Sequence, residues 1–386
     1  MPVVSNEVVR SLQERVRTAV ATRRSLVIRA GGTKDFYGNS AHAEHDVLDP
    51  RAYCGVIDYE PTELVITACS GTSLTEVEAT LAQHQQMLAF EPPHFGLAMS
   101  AGPPQAHRVP PWGAGAQRPG ATGDAATLGG AIACGLAGPR RVASGSIRDF
   151  VLGATLMDGH ANVLTFGGNV MKNVAGYDVS RALAGSLGTL GMILDVSLKV
   201  VPRPATEQTL RFELSEANAT RRTNEWAGQP LPISATAWLD GALSVRLSGA
   251  NAGVRAAQVK LGGDRVADGE AFWMTLREQT HAFFNRAGEA ATLWRLSVPP
   301  TTTPLNLGST LIEWRGAQRW VWSTSPAAEI RAKVQSAGGH ATAFRQHDRS
   351  DAFHPLAPAL AQIHQRLKKE FDPAGIFNPG RMYSQL

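Results

Sequence analysis

Between positions 6 and 24 apolar residues recur every three or four places, with Val9, Leu12, Val16 and Ala19 or Val20 on one face and Asn6 at a capping position. That spacing predicts an amphipathic helix. The period then shortens to a β-branched run at 25–29, which breaks into Ala30, Gly31, Gly32, Thr33, Lys34 and Asp35. A strand ending in a Gly-Gly turn either aims successive N–H groups at one anion or is an ordinary tight turn; the pattern leaves both open. Two further strands are expected at 55–59 and 64–68. A helix follows, because Ser73 and Glu76 form a capping-box pair and Leu74, Val77 and Leu81 share a face.

From 91 to 123 no apolar period survives, and Pro92-Pro93, Pro103-Pro104 and Pro110-Pro111 predict a long surface loop. Trp112 within it is either a packing residue or an interface contact. The stretch 123–202 carries glycines in four clusters beside apolar segments, as expected where backbone passes close to a ligand. It predicts a small-residue helix at 131–137, strands at 151–157 and 162–166 joined by an Asp158-Gly159 hairpin turn, a helix at 179–184 and a strand at 191–201.

Residues 205–345 alternate strands (210–214, 235–239, 243–247, 295–298) with helical segments (251–261, 269–284, 327–337), the order of an α+β unit with an antiparallel sheet. Seven of the eight tryptophans lie there, as core filling or as an aromatic pocket or subunit contact. From 354 a helix is expected with Leu360, Ile363, His364 and Leu367 on one face. Two prolines and two glycines then force 371–380 out of regular structure, so this tail should be docked.

Composition narrows the class. A chain of 386 residues that is 43% hydrophobic and 18% charged can bury a full core, which excludes general disorder and suggests two domains. The net charge of +4 comes from scattered basic residues, so a nucleic-acid footprint is excluded. Three isolated cysteines build neither a disulfide framework nor a local metal or redox motif, and no metal site is expected. With no signal-peptide layout and no apolar run of about 20 residues, the expected location is the cytoplasm, with at most peripheral contact at the inner membrane.

The GxGxxG spacing with a downstream acidic residue is missing at both Gly31-Gly32 and Gly129-Gly130, which disfavours nicotinamide cofactors. Instead the strings RAGGTKDFYG (29–38), ATLGGAIA (126–133), GSIRDFVLG (145–153), VMKNVAGYDVSRALAGSLGTLG (170–191) and FDPAGIFNPGR (371–381) resemble the FAD-binding flavoproteins of the vanillyl-alcohol oxidase and para-cresol methylhydroxylase (PCMH) family. Within it, EPPHFG (91–96), GPRR (138–141), FGGNVMKNVAGYDVSR (166–181) and FNPGRMY (377–383) are similar to the smaller flavin subunits of bacterial glycolate oxidases; 97–122 looks like an insertion.

The resemblance implies an α+β fold: a two-subdomain PCMH-type FAD-binding domain at 1–204, an antiparallel-sheet cap at 205–345, and a segment at 346–386 returning to the flavin domain. It implies that Arg29, Ala30, Gly31, Gly32, Thr33, Lys34 and Asp35 wrap the FAD pyrophosphate, with Thr127, Leu128, Gly129 and Gly130 opposite and Gly145 and Ser146 continuing that wall. Gly188, Gly191 and Ile193 should lie near the adenine, and Asn378 near the isoalloxazine. Some relatives attach FAD through a histidine in the first glycine loop; that loop has none here, so noncovalent FAD is expected.

Oxidising a 2-hydroxy acid needs a base for the hydroxyl proton and a cation for the carboxylate. Relatives that do so carry a His-rich motif with acidic neighbours. Here the histidines are solitary, His340, His347, His354 and His364 among them, and no catalytic residue is assigned. The implied partners are a larger FAD subunit and an iron-sulfur subunit of one complex. Either this chain's FAD takes part in oxidising glycolate to glyoxylate and passes the electrons on, or the chain is a mainly structural FAD-binding subunit. A self-contained sugar oxidase is a third reading.

Overall fold

The computed structural model describes residues 6–40, 45–96, 125–168, 178–285, 291–346 and 348–386. The 97–122 insertion, Trp112, most of VMKNVAGYD and His347 lie outside them. Helix α1 (Asn6–Thr22) buries Leu12, Val16 and Ala19, the stripe its spacing predicts. Strand β1 (Leu26–Ile28) pairs in parallel with β2 (Asp46–Leu48), a strand with no periodic signal. Then come β3 (Val56–Glu60), β4 (Val65–Cys69) and α2 (Leu74–Ala82), whose Ser73 hydroxyl accepts from the Glu76 N–H at 3.0 Å. A short β5 (Gln86–Met87) leads to the loop at 88–96.

Helix α3 (Leu128–Cys134) starts three residues earlier than 131–137, because the Thr127 hydroxyl caps it at Gly130 and Gly135 ends it. After α4 (Arg141–Ser144) come β6 (Val151–Met157) and β7 (Val163–Gly167), antiparallel as predicted. Their connection is not a two-residue turn. It runs from 158 to 162, and the Asp158 carboxylate accepts from the N–H groups of His160 and Asn162, both at 2.8 Å. Short α5 (Val179–Ala182), β8 (Met192–Lys199) and β9 (Val201–Pro202) complete this half. The sheet order is β3-β4-β8-β6-β7, antiparallel throughout, with α2 and α3 closing its core through Leu74, Val77, Leu81, Leu128 and Ile132.

The remainder adds β10 (Thr206–Glu213), α6 (Glu216–Ala227), β11 (Ile233–Leu239), β12 (Ala242–Gly249), α7 (Asn251–Leu261), β13 (Asp264–Val266) and α8 (Gly269–Arg277). It continues with β14 (Thr292–Ser297), β15 (Ser309–Glu313), β16 (Gln318–Ser323), α9 (Ala327–Ser336) and β17 (His340–Arg345). Eight strands form one antiparallel sheet, β13-β10-β12-β11-β15-β16-β14-β17. The helix expected over 269–284 stops at Arg277. There the Glu278 carboxylate turns away to accept from the N–H groups of His94 and Phe95 at 3.0 and 2.7 Å.

Helix α10 (Pro358–Phe371) rests on the body through Ala361, His364, Lys368 and Phe371, while Leu360, Ile363 and Leu367 are exposed. The predicted face is thus split, with His364 inside and the three aliphatics outside. The reason is Lys368: its ammonium donates to Thr189 O, Phe377 O and the Asp372 carboxylate, each at 2.7 Å, and this fixes the rotation of the helix. The tail beyond it is docked, as expected. Leu26 N donates to Ile376 O and Asn378 N to Leu26 O, so 376–378 lies parallel beside β1.

Candidate cofactor-binding site

The loop after β1, the start of α3, the turn before β8 and the C-terminal tail converge on one cleft with a cavity of about 300 Å³. Its wall includes Arg29, Ala30, Gly31, Gly32, Thr33, Lys34 and Asp35 from the first loop, Thr127, Gly129 and Gly130 from α3, Gly188, Gly191 and Ile193, and Asn378. Three residues expected there are absent from the wall. Leu128 points into the core at 0% exposure. Gly145 and Ser146 belong to a separate turn, in which Ser146 N–H and Oγ–H both donate to the Asp149 carboxylate.

The tail joins the two sides of the cleft. Asn378 accepts from Ile28 N–H at 2.8 Å and donates to Leu187 O at 2.6 Å, so its amide is spent as a strut between the walls. Sequence reasoning missed Ser70, Cys134, Arg349 and Arg381, all on the wall. Arg381 had a signal, since it closes the quoted FNPGR string; Ser70 and Arg349 stand alone in their segments.

Close packing explains two of the glycines. A Cβ on Gly31 would stand 1.7 Å from Ala125 O, and one on Gly129 2.5 Å from Ser70 Cβ. The glycines therefore let protein segments stack, and the backbone so stacked forms a cleft floor without side chains.

The electrostatics are uneven. Arg29 is paired with Asp35 at 2.5 Å. Arg381 spends its guanidinium on the carbonyls of Asn39, Asp35 and Lys34, and Arg349 on those of Asp35 and Asn39; burial lowers both pKa values, that of Arg349 to about 10. Lys34 is 7% exposed, and among the described residues its ammonium has one hydrogen bond, to Thr33 Oγ1 at 3.3 Å. Burial lowers its pKa, while Cys134 and Glu278 act through space in the opposite sense. The Ser70 hydroxyl is buried with no partner among the described residues. Uncommitted donors on a bare backbone floor fit an anionic, hydrogen-bonding ligand such as a dinucleotide.

Base chemistry has no counterpart among the described residues of this wall. Asp35 is the only carboxylate among the described lining residues, and it is held by Arg29. His340, His354 and His364 lie on or beside β17 and α10, away from the cleft, and burial lowers the pKa of each. Buried His94 stands 3.2 Å from the Glu78 carboxylate. Among the described residues no group of three or more His, Cys, Asp or Glu could hold a metal ion.

Residues 3–106 match the FAD binding domain family. Over 377 residues the chain is 44% identical to the glycolate oxidase subunit GlcE of Escherichia coli (strain K12), covering 97% of each. It is 36% identical to the glycolate oxidase subunit GlcD of Bacillus subtilis (strain 168) over 97 residues, 25% of this chain and 21% of that protein. Among solved structures, an alkyldihydroxyacetonephosphate synthase superposes with a TM-score of 0.61 at 13% identity, covering 97% of this chain and 74% of that one. That likeness establishes the fold.

Proposed function

The chain belongs to the family of the glycolate oxidase subunit GlcE, it is an FAD-dependent hydroxy-acid dehydrogenase subunit with an FAD binding domain, and from that premise we propose that it is the FAD-binding subunit of a multi-subunit glycolate oxidase. In this reading the complex oxidises glycolate to glyoxylate, and the electrons leave through an iron-sulfur partner. The observation that carries the cofactor assignment is the cleft itself: stacked glycine loops beside a buried ammonium and a buried hydroxyl with unspent donors.

Bound FAD supplies the acceptor for a hydride from a 2-hydroxy acid. The chain's own residues do the rest. Backbone at 29–35 and 127–130 would hold the phosphates, Gly191 and Ile193 would receive the adenine end, and the Asn378 strut keeps the walls at a fixed separation. Attachment is noncovalent: the first loop has no histidine, and the Cys134 thiol on the wall is pushed up by burial and stays protonated. Cys54, Cys69 and Cys134 are free and unclustered, so an iron-sulfur relay has to come from another subunit.

The absence of a free base on the described wall favours a second statement, that a larger flavin subunit abstracts the hydroxyl proton. We further read 1–204 as the flavin domain, 205–345 as its cap and 346–386 as the returning segment, each sheet falling within one span. The three free thiols support a cytoplasmic complex, and no described helix is long and apolar enough to cross a membrane.

Purification of the chain alone tests these points. The expected product is yellow, releases its FAD on denaturation, and is bleached by glycolate only when the partner subunits are added. Bleaching without partners would place substrate oxidation in this chain; colourless protein that takes up no FAD would overturn the cofactor assignment.

A further inference from the structure

Among the described residues four cations line the cleft, and three already have partners. Arg29 faces Asp35, while Arg349 and Arg381 bond backbone carbonyls. Arg349 leaves only its Nε without a partner among the described residues, whereas Lys34 keeps an ammonium with donors to spare. Among the described residues no carboxylate lies within ion-pair distance of it, and the carboxylate that acts on it through space, Glu278, is bonded to His94 N–H, Phe95 N–H and the Arg277 guanidinium. A buried cation without a counter-charge is costly, and the cost is recovered when an anion arrives.

The position of Lys34 along the cleft selects which part of the ligand it meets. The bare floor lies at the start of α3, where Gly31 stacks on Ala125 and Gly129 on Ser70. Lys34 lies at the other end of α3, beside Cys134 and 5.6 Å from the centre of the Phe95 ring. Seven helical residues separate the two ends by about 10 Å at ~1.5 Å per residue. With the phosphates on the glycine floor, the far end near Lys34 is left to the flavin ring. Aromatic packing from Phe36, Phe95 and Phe344 closes that end on the side of the eight-stranded sheet and keeps the local dielectric low.

We propose that Lys34 sets the reduction potential of the bound flavin, its ammonium standing against the ring edge where negative charge collects. A hydride from the substrate brings two electrons and one proton to the ring, which gains one net negative charge; the hydroxyl proton of the 2-hydroxy acid leaves separately. Lys34 stabilises the reduced, anionic ring over the neutral oxidised one and so favours uptake of electrons. This rests on the FAD assignment above.

Wild type, Lys34→Met and Lys34→Arg are purified as holoproteins. The FAD dissociation constant is read by flavin fluorescence, and the midpoint potential by equilibration with reference dyes. In K34M the ratio of reduced to oxidised flavin at fixed potential falls at least tenfold, a midpoint drop of about 30 mV for a two-electron couple. In K34R the ratio stays within threefold of wild type. Lys34→Gln, closer in length and polarity, is measured alongside and shows the same fall if methionine leaves too little protein. An unchanged midpoint in both neutral variants overturns the proposal. A tenfold weaker grip on FAD with an unchanged midpoint overturns it too, by placing Lys34 at the phosphates. Wild-type protein that retains no FAD breaks the cofactor assignment itself and is distinguishable from either result.

Discussion

The cleft wall and the seam between the two sheets are both rich in charge, yet they are built in opposite ways. At the seam Glu91, Glu207, Arg140 and Arg246 answer one another. Glu91 accepts from Arg140 N–H at 2.9 Å, from its Nε at 3.3 Å and from Arg246 at 2.8 Å, and Glu207 accepts from Arg140 and from Ser248. Burial and the two arginines act on Glu207 in opposite directions, and the net effect lowers its pKa. On the cleft wall Lys34 and Ser70 are left short of partners. Where polar groups are satisfied internally, nothing remains to recognise a ligand; where they are not, folding has already met part of the cost of binding one.

Three substitutions test that contrast. The largest effect is expected from Gly31→Val, whose Cβ would overlap Ala125 O and part the first loop from α3. The purified variant should hold FAD at least a hundredfold more weakly, visible as loss of yellow colour; a variant that stays yellow would mean the stacked loops are not the cofactor floor. Arg246→Met comes next. It strips one partner from half-buried Glu91, which keeps Arg140, so the cost is at most about 3 kcal/mol, the low end for a broken buried pair. Denaturant unfolding should show that loss while FAD affinity stays within threefold of wild type, which separates seam from cleft.

The smallest effect is a slope. Glu313 is buried, accepts from Trp320 Nε1 and Gln318 Nε2, and has its pKa pushed up to about 7 from 4.5, chiefly by burial. Between those values the folded protein keeps a proton that the unfolded chain has released. Stability contributed by this group is therefore full below about 4.5 and is lost as pH rises through about 7. Glu313→Gln should flatten the melting temperature over that window, and an unchanged slope would show that Glu313 is not its source.

Much of this was legible in the sequence. Helices α1, α2, α7 and α9 announce themselves by period and caps, and α7 occupies the predicted 251–261. Strands β15 to β17 did not. Strand β16 buries Gln318 and Arg319, polar residues that period arguments place outside, because the Arg319 guanidinium is satisfied by the carbonyls of Thr302 and Thr303. Helix α6 was missed because its inner face is Ala219, Thr220, Thr223 and Trp226, too small and hydroxylic to register as apolar. Several of the clustered glycines line the cleft, and at Gly31 and Gly129 the neighbour that forbids a Cβ is protein. Arg349 and Ser70 reach the wall only through tertiary folding, which no local pattern encodes.

The docking of 376–378 beside β1 has a consequence in time. Ile28 and Asn378 are 350 residues apart in sequence, yet one hydrogen bond of 2.8 Å joins them at the rim of the cleft. On the ribosome, the first loop must wait for these partners until about 350 further residues have been made. The cradle is thus finished by an element synthesised long after its first loop, and a nascent chain cannot close on its cofactor before residue 378 leaves the exit tunnel.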